Sequence, residues 1–254
     1  MHVQSPPDLK VIFAKEEKYR RKRLAPQPSD AGYLHRADLL LALKSEATSE
    51  NITVLDYGAG VSPYRSLFPN SDYRRADIES IGDPEYLIDK DGTIPEKSHV
   101  FDVVLSTQVL EHVSDPYTYL AECFRLLKPG GKLLLTTHGS YEDHGCPYDF
   151  QRWTAYGLER DLKKVGFELL RIEKLTTGPR AIISLLERFL DVTSISRKSF
   201  FGFTYWIIRI IFRSYRHWIY LKLDKYCSEN RMVPSYLPNH NIYIAIFCCA
   251  NRPL

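Results

Sequence analysis

The sequence offers little cysteine chemistry and no long apolar run. Its five cysteines are odd in number and include no Cys-x-x-Cys pair, so they indicate neither a disulfide framework nor a zinc site. No uncharged apolar stretch approaches the ~20 residues needed to cross a bilayer, and the first residues lack the basic-then-apolar pattern of a signal peptide. We therefore expect a cytoplasmic protein in a reducing compartment, without a bound metal.

Net charge is also small, at +3, and by itself it argues neither for nor against a nucleic-acid partner. A chain of 254 residues with 44% apolar residues can bury one substantial core. We predict an N-terminal arm over residues 1–33 and one domain over residues 34–254. The basic run at 18–23 in the arm suits either a solvated terminus or contact with an anionic surface.

Strand and helix patterns alternate over residues 52–139, which is typical of a parallel sheet with crossover helices. The near-continuous apolar run at 101–106 fits a strand that is covered on both faces. The predicted strands are 52–56, 73–77, 86–88, 101–106, 132–137, 167–175 and 242–249. The predicted helices are 34–47, one opened by Pro63, 116–127, 154–165, 180–192 and 200–223.

The most informative motif is the glycine turn after the first strand, Val54-Leu55-Asp56-Tyr57-Gly58-Ala59-Gly60. Two glycines permit a turn that side chains would obstruct, so bare backbone can approach a ligand. The next helix would add its N-terminal amides. Asp77 then ends the second strand, where nucleotide-binding folds place an acid on ribose hydroxyls. A dinucleotide-binding dehydrogenase shares this pattern, but Pro63 stands where its third glycine belongs, which disfavours that class.

Further motifs follow the glycine turn in a fixed order, namely Phe101-Asp102-Val103-Val104, Val109-Leu110-Glu111-His112-Val113 and Glu122-x-x-Arg125-Leu126-Leu127-Lys128-Pro129-Gly130-Gly131. With the turn and Asp77, they resemble the class I S-adenosylmethionine-dependent methyltransferases over residues 52–177. Residues 60–65 and the pattern His144-x-x-Pro147-x-Asp149-x-x-Arg152-x-Thr154 are similar to a methyltransferase type 11-like bacterial subgroup associated with surface-polysaccharide assembly. Ser62 departs from the class, which commonly has glycine there.

The resemblance implies a Rossmann-like α/β fold with seven strands, the last antiparallel, and helices on both faces. It also implies S-adenosyl-L-methionine as cofactor, bound at the carboxyl ends of the strands. The resemblance implies that Asp56, Gly58 and Gly60 surround the methionine portion of the donor and that Asp77 binds the ribose. It implies Asp89, or as a near equal Asp91, at the adenine edge. Gln108 and Ser106, after the fourth strand, are further implied donor contacts. Asp77 as a strand-end cap is the alternative interpretation, and we interpret Glu111 and His112 as structural.

Methyl transfer to an aliphatic hydroxyl needs a base, because such a hydroxyl is a poor nucleophile until its proton is removed. The segment after the fifth strand crosses the mouth of the expected site and carries His138 and His144. Histidine suits this work at neutral pH, with an ordinary pKa near ~6.5. We hypothesise that one of these histidines is the general base and that Asp149 orients it or binds substrate. The alternative is that His144, Asp149 and Arg152 only brace this loop.

A helical insertion is predicted at about 179–240, between the last two strands. Its second helix carries Arg209, Arg213 and Arg216, which share one narrow stripe among apolar and aromatic residues. The insertion suits a lid, a homodimer interface or a peripheral membrane contact through 200–223 with arginines at the headgroups. A single line of arginines without an open groove disfavours nucleic acid.

These patterns predict an O-methyltransferase that acts on a small-molecule, glycan or lipid-linked acceptor. The methyl donor and the reaction class come from the resemblance, and the acceptor class comes from the subgroup. The alternative is a non-catalytic donor-binding partner or scaffold that acts through its C-terminal helices. Membrane contact would put a cytoplasmic enzyme at the inner face of the membrane.

Overall fold

The architecture was determined as a computed structural model, which describes residues 9–78, 84–196, 198–238 and 240–254. Six helices and eight strands lie within these residues. The helices are α1 (Leu9–Leu24), α2 (Tyr33–Lys44), α3 (Pro116–Leu126), α4 (Ala155–Val165), α5 (Gly178–Val192) and α6 (Phe200–Tyr226). The strands are β1 (Thr53–Tyr57), β2 (Asp72–Asp77), β3 (Tyr86–Leu87), β4 (Phe101–Thr107), β5 (Leu127–His138), β6 (Glu168–Thr177), β7 (Met232–Pro234) and β8 (Tyr243–Asn251).

The strands form one sheet in the order β3-β2-β1-β4-β5-β8-β6-β7. Neighbours from β3 to β5 are parallel, whereas β8 runs antiparallel between β5 and β6. The predicted Rossmann-like sheet with an antiparallel late strand is thus confirmed. The carboxyl ends of β1, β2, β4 and β5 meet at one edge, where this kind of sheet binds ligands.

The core lies on both faces of the sheet, which explains the continuous apolar runs in its central strands. One face packs against α3 and α4 through residues such as Leu120, Leu126 and Leu158. The other face packs against α2 through Leu39, Leu43 and neighbouring side chains. Every residue of β8 except Asn251 is buried.

Two local predictions are wrong. Pro63 does not open an α-helix, since the segment between the glycine turn and β2 contains only one 3-10 turn, Arg65–Leu67. The helix dipole expected beside the donor is therefore absent there. The second error is the strand count, since β7 adds an eighth strand by pairing antiparallel with β6.

The insertion between β6 and β8 contains α5, α6 and β7, and a buried ion pair fixes it to the domain. Arg180 at the start of α5 donates to Asp38 of α2 at 2.7 Å, and both side chains are fully buried. Arg180 also binds Asp224 of α6 at 2.9 Å. Because one guanidinium joins α2, α5 and α6, the insertion packs on the domain as a fixed layer.

The arginine stripe on α6 partly faces α5 instead of forming an outward line. Arg213 pairs with Asp191 at 2.6 Å, and Arg216 pairs with Glu187 at 3.1 Å. Both arginines therefore have an acidic partner on α5, and their contact with lipid headgroups stays a prediction. Within the described residues, no helix is both long enough and apolar enough to cross a bilayer.

Candidate active site

The acid at the end of β2 fixes the conformation of the glycine turn after β1 through a hydrogen bond. Asp77 Oδ2 accepts a hydrogen bond from the Gly60 backbone N–H at 2.6 Å, and Oδ1 accepts one from Ile78 N–H at 2.8 Å. Gly58 and Gly60 both have positive φ, at 82° and 50°. A Cβ at Gly60 would meet no described atom within 4 Å, whereas one at Gly58 would lie 2.6 Å from Val109. Open space therefore lies above Gly60, bordered by backbone amide and carboxylate, and this fits a bound ribose and methionine portion.

Asp56 lies deeper than the turn that follows it. Its Oδ2 accepts a hydrogen bond from the Tyr73 hydroxyl of β2 at 2.7 Å, and the residue is 3% exposed. Burial raises the pKa of its carboxyl to about 7. In this arrangement Asp56 supports the turn from below, and its role beside the methionine portion stays a prediction.

Gln108 leaves β4 at the same edge in a strained conformation, with φ of 56°. Its side-chain Nε2 donates to Thr136 Oγ1 at 3.1 Å, while its Oε1 is buried without a hydrogen-bond partner. Strain of this kind persists where the surroundings impose it, commonly at ligand sites. By contrast, the Ser106 hydroxyl is 2.8 Å from the Tyr119 hydroxyl within the core, so Ser106 braces β4 against α3.

Asp89 organises the loop after β3. Its Oδ1 accepts from the backbone N–H groups of Asp91 and Thr93 at 3.0 and 2.8 Å, and its Oδ2 accepts from the Thr93 hydroxyl at 2.8 Å. These bonds lower the pKa of Asp89, led by the Thr93 backbone N–H. The proposed adenine contact would use the remaining lone pairs of this carboxylate.

Four imidazole rings, one tyrosine ring and one carboxylate lie together beyond the ends of β4 and β5. We call this group the histidine cluster; it comprises His35, Glu111, His112, His138, Tyr141 and His144. The His138 ring stacks on Tyr141, with ring centroids 4.1 Å apart and an interplanar angle of 9°. The centroid of the His144 ring lies 4.9 Å from that of His138 and 4.7 Å from that of His112, and both contacts are edge to face. The structure therefore brings together both histidines that the sequence predicted as bases.

The electrostatics of this cluster favour uncharged imidazoles at His138 and His144. Burial lowers the pKa of His138 well below 6.5, and the neighbouring His35 and His144 lower it further. Burial also lowers the pKa of His144, which keeps a side-chain exposure of 31%. Glu111 is fully buried, and burial raises its pKa. His144 is therefore better placed than His138 to exchange a proton with an acceptor from solvent.

Asp149 is committed to an ion pair. Both of its carboxylate oxygens bind Arg152 at 2.6 Å, and Oδ2 also accepts the His144 backbone N–H at 2.8 Å. Arg152 lowers the pKa of Asp149 well below its usual range. The pair fixes the loop between His138 and Trp153, whose backbone N–H donates to the His138 carbonyl at 3.1 Å. This geometry favours the bracing interpretation, while a role for Asp149 toward substrate stays a prediction.

Sequence reasoning missed His35 and Tyr141, and it interpreted Glu111 as structural. His35 comes from α2, and its ring lies 5.3 Å from that of His138. Nothing in the α2 sequence distinguishes this histidine from a residue on the solvent face of an amphipathic helix. For Glu111, the available signal was its position three residues after Gln108, at the carboxyl end of β4.

Comparison with known proteins supports the interpretation of the turn. Residues 46–135 match a family model described as a methyltransferase domain. A Mycolicibacterium smegmatis protein named "Probable S-adenosylmethionine-dependent methyltransferase/" is 33% identical over 122 residues, covering 45% of this chain and 42% of that protein. Ubiquinone biosynthesis O-methyltransferase of Cereibacter sphaeroides is 60% identical over 37 residues, which is 15% of each protein. The chain thus spans less than half the length of these curated relatives.

A solved structure extends the likeness of the fold to most of the chain. Haemonchus contortus phosphoethanolamine N-methyltransferase 2, in complex with S-adenosyl-L-methionine, superposes with a TM-score of 0.52 and 18% sequence identity. The match covers 94% of this chain and 56% of that one. Residues 46–135 are thus similar to a methyltransferase domain, and the likeness over most of the chain is one of fold.

Proposed function

We propose that this protein is an S-adenosylmethionine-dependent methyltransferase that methylates a hydroxyl oxygen of a carbohydrate or lipid-linked acceptor. The observation that carries the proposal is the open glycine turn, in which the Gly60 N–H is bound by Asp77 at 2.6 Å. The matched methyltransferase domain includes this turn. S-adenosylmethionine supplies a methyl group on a positively charged sulfur.

The proposed donor-binding residues lie at the carboxyl ends of three strands, β1, β2 and β4. The glycine turn leaves room for close approach of the ligand at Gly60, and Asp77 offers its free lone pairs to the ribose hydroxyls. Gln108 presents an unpaired Oε1 from the end of β4. Because these groups are fixed before the ligand arrives, positioning contributes a large part of the rate of an in-line displacement.

The acceptor hydroxyl would be activated at the histidine cluster. As the oxygen–carbon bond forms and the carbon–sulfur bond breaks, the hydroxyl must lose its proton. We assign that proton to His144, because it is the more exposed of the two predicted bases. Asp149 and Arg152 hold the loop that carries it.

Calorimetric titration with S-adenosylmethionine and with its demethylated product tests the donor site. We expect micromolar binding by the wild type and its loss in Asp77→Ala, with Asp102→Ala as the matched control. Asp102 is also an acid on a sheet strand, but it binds Lys128 and Thr53 at the opposite edge. If the folded wild type binds neither compound, the enzyme proposal fails and the C-terminal helices become the candidate functional surface.

A lipid-linked acceptor fits the exposed face of α6. Tyr205 and Tyr220 pack inward, while an apolar groove is lined by Ile208, Ile211, Phe212, Tyr215, Trp218 and Ile219. Phe200 and Phe201 are 86% and 69% exposed at the start of the helix. Lys222 lies 5.3 Å from the Trp218 ring. An apolar helix face bordered by cations suits a membrane interface.

Flotation with anionic and neutral liposomes tests this part of the proposal. We expect the wild type to float with anionic liposomes and Trp218→Glu to remain at the bottom. Tyr156→Glu is the matched control, because Tyr156 is an aromatic residue with 63% exposure on α4. Failure of the wild type to float would contradict membrane contact, and a dimer broken by Trp218→Glu would assign the face to a second copy of the chain.

A further inference from the structure

We propose that Glu111, His138 and His144 form a binding site for a divalent transition-metal ion of the Zn²⁺ class. One donor atom from each residue lies within 4.8 Å of the others. Two imidazoles and one carboxylate are a ligand set that holds catalytic zinc and leaves a coordination position open. No cysteine takes part, so the cysteine spacing in the sequence could not reveal this site.

Two of the three ligands already stand at a separation that suits coordination. His138 Nε2 lies 3.5 Å from Glu111 Oε1. Donor atoms bound tetrahedrally at ~2.1 Å from zinc are about 3.4 Å apart. The third ligand, His144, therefore needs the main adjustment, because the donor atoms of the three residues are up to 4.8 Å apart. It lies on the loop between His138 and Trp153, the more exposed part of the cluster.

An unsatisfied buried atom points independently to a ligand. Glu111 is fully buried; its Oε2 accepts from the Thr137 hydroxyl at 2.8 Å, but its Oε1 has no hydrogen-bond partner. A buried carboxylate oxygen without a partner is costly, and a cation between Oε1 and His138 would satisfy it.

The surroundings of His144 resemble the outer shell of a metal ligand. Its Nδ1 is 3.3 Å from the Glu142 carbonyl and 3.5 Å from Asp149 Oδ2. Such contacts fix a ring by one nitrogen and leave the other, here Nε2, for the ion. Imidazole ligands favour transition ions, whereas Mg²⁺ and Ca²⁺ prefer oxygen ligands alone.

The site would change how the acceptor is activated, and this consequence rests on the proposed function. A hydroxyl in the open position would lose its proton to solvent more readily, because a bound cation stabilises the alkoxide. The alkoxide oxygen then forms the bond to the methyl carbon as the carbon–sulfur bond breaks. His144 would act as a ligand, and the ion would replace it in activating the hydroxyl.

Cobalt absorption provides the test, since Co²⁺ substitutes for zinc and reports its ligands in the visible spectrum. The protein is used without a histidine tag, treated with EDTA and dialysed, then titrated with CoCl₂ and competed with ZnCl₂. We expect one equivalent of Co²⁺ to bind, Zn²⁺ to displace it and MgCl₂ to leave it in place. His144→Ala and Glu111→Gln should each lower the affinity about tenfold or more.

His217→Ala is the matched control, because it removes an exposed histidine of α6 outside the cluster. It should bind Co²⁺ as the wild type does. Thermal unfolding and S-adenosylmethionine binding by the metal-free variants establish that they are folded, and they report the donor site separately from the metal. Absence of Co²⁺ and Zn²⁺ binding by the wild type, or affinity unchanged in both ligand variants, would overturn the proposal.

Discussion

Gly60→Ala separates the conformational role of the turn from its role in binding. A residue with a Cβ costs about 1–2 kcal/mol in the left-handed region that Gly60 occupies, so we expect that loss in the free energy of unfolding. No clash adds to it, because the new Cβ meets no described atom within 4 Å. That same space is where the donor should lie, so its affinity should fall about tenfold or more, equivalent to about 1.4 kcal/mol or more.

Gly130→Ala is the matched control for Gly60→Ala. Gly130 has a similar positive φ of 77°, but it lies at the opposite edge of the sheet, where its new Cβ would touch only the flexible end of Leu254 at 3.3 Å. Urea unfolding should show comparable losses of stability for the two variants. Calorimetry with S-adenosylmethionine should show weaker binding only for Gly60→Ala. Wild-type affinity in folded Gly60→Ala would refute the placement of the donor above this turn.

Three further outcomes are expected from the geometry. Gly58→Ala should destabilise the protein more than Gly60→Ala, because its Cβ would lie 2.6 Å from Val109; adding Val109→Ala should recover part of the loss in urea unfolding. Arg180→Met should lower the free energy of unfolding by about 3–5 kcal/mol, because Asp38 would stay buried without its main partner. The double variant Arg180→Met, Asp38→Leu should recover most of that free energy. If the effects of the two substitutions on stability are additive, the coupling of Arg180 and Asp38 is refuted. Burial lowers the pKa of His35 to about 3 in the folded protein. Below the ordinary pKa of histidine, the unfolded chain therefore binds a proton at His35 that the folded protein does not, and stability should fall on acidification. We expect His35→Phe to reduce the loss of stability between about pH 7 and about pH 5 by about 1–2 kcal/mol, and an unchanged slope in pH-dependent unfolding would contradict this.

The central strands could be predicted because each carries its own signal. The observed β1 is shifted by one residue from the predicted 52–56, and β4 extends one residue beyond the predicted 101–106. In contrast, β7 has only three residues and ends in Pro234, so it has no periodicity of its own and exists through its pairing with β6. The donor turn was predictable for the same reason as β1, since its residues are contiguous in the chain.

The histidine cluster could be predicted only in part, because its members come from distant segments. His138 at the end of β5 and His144 in the following loop lie close in the sequence and were identified together, whereas His35 contacts His138 from α2. The arginine spacing on α6 correctly predicted a stripe, but its partners Asp191 and Glu187 depend on how α5 packs. Contacts between elements are set by tertiary packing, which local patterns do not encode.

The position of β8 has a consequence for folding during synthesis. Residues 243–251 form the only bridge within the described sheet between β5 and the β6–β7 pair. Until the ribosome has released them, β1 to β5 can assemble, but β6 has no central neighbour and the apolar faces beside it stay uncovered. During that interval, the unpaired backbone groups at the edge of β5 can pair incorrectly with a strand of another chain. The nascent chain should therefore depend on chaperones until β8 has left the ribosome, and gain protease resistance in a single step once β8 pairs with β5 and β6.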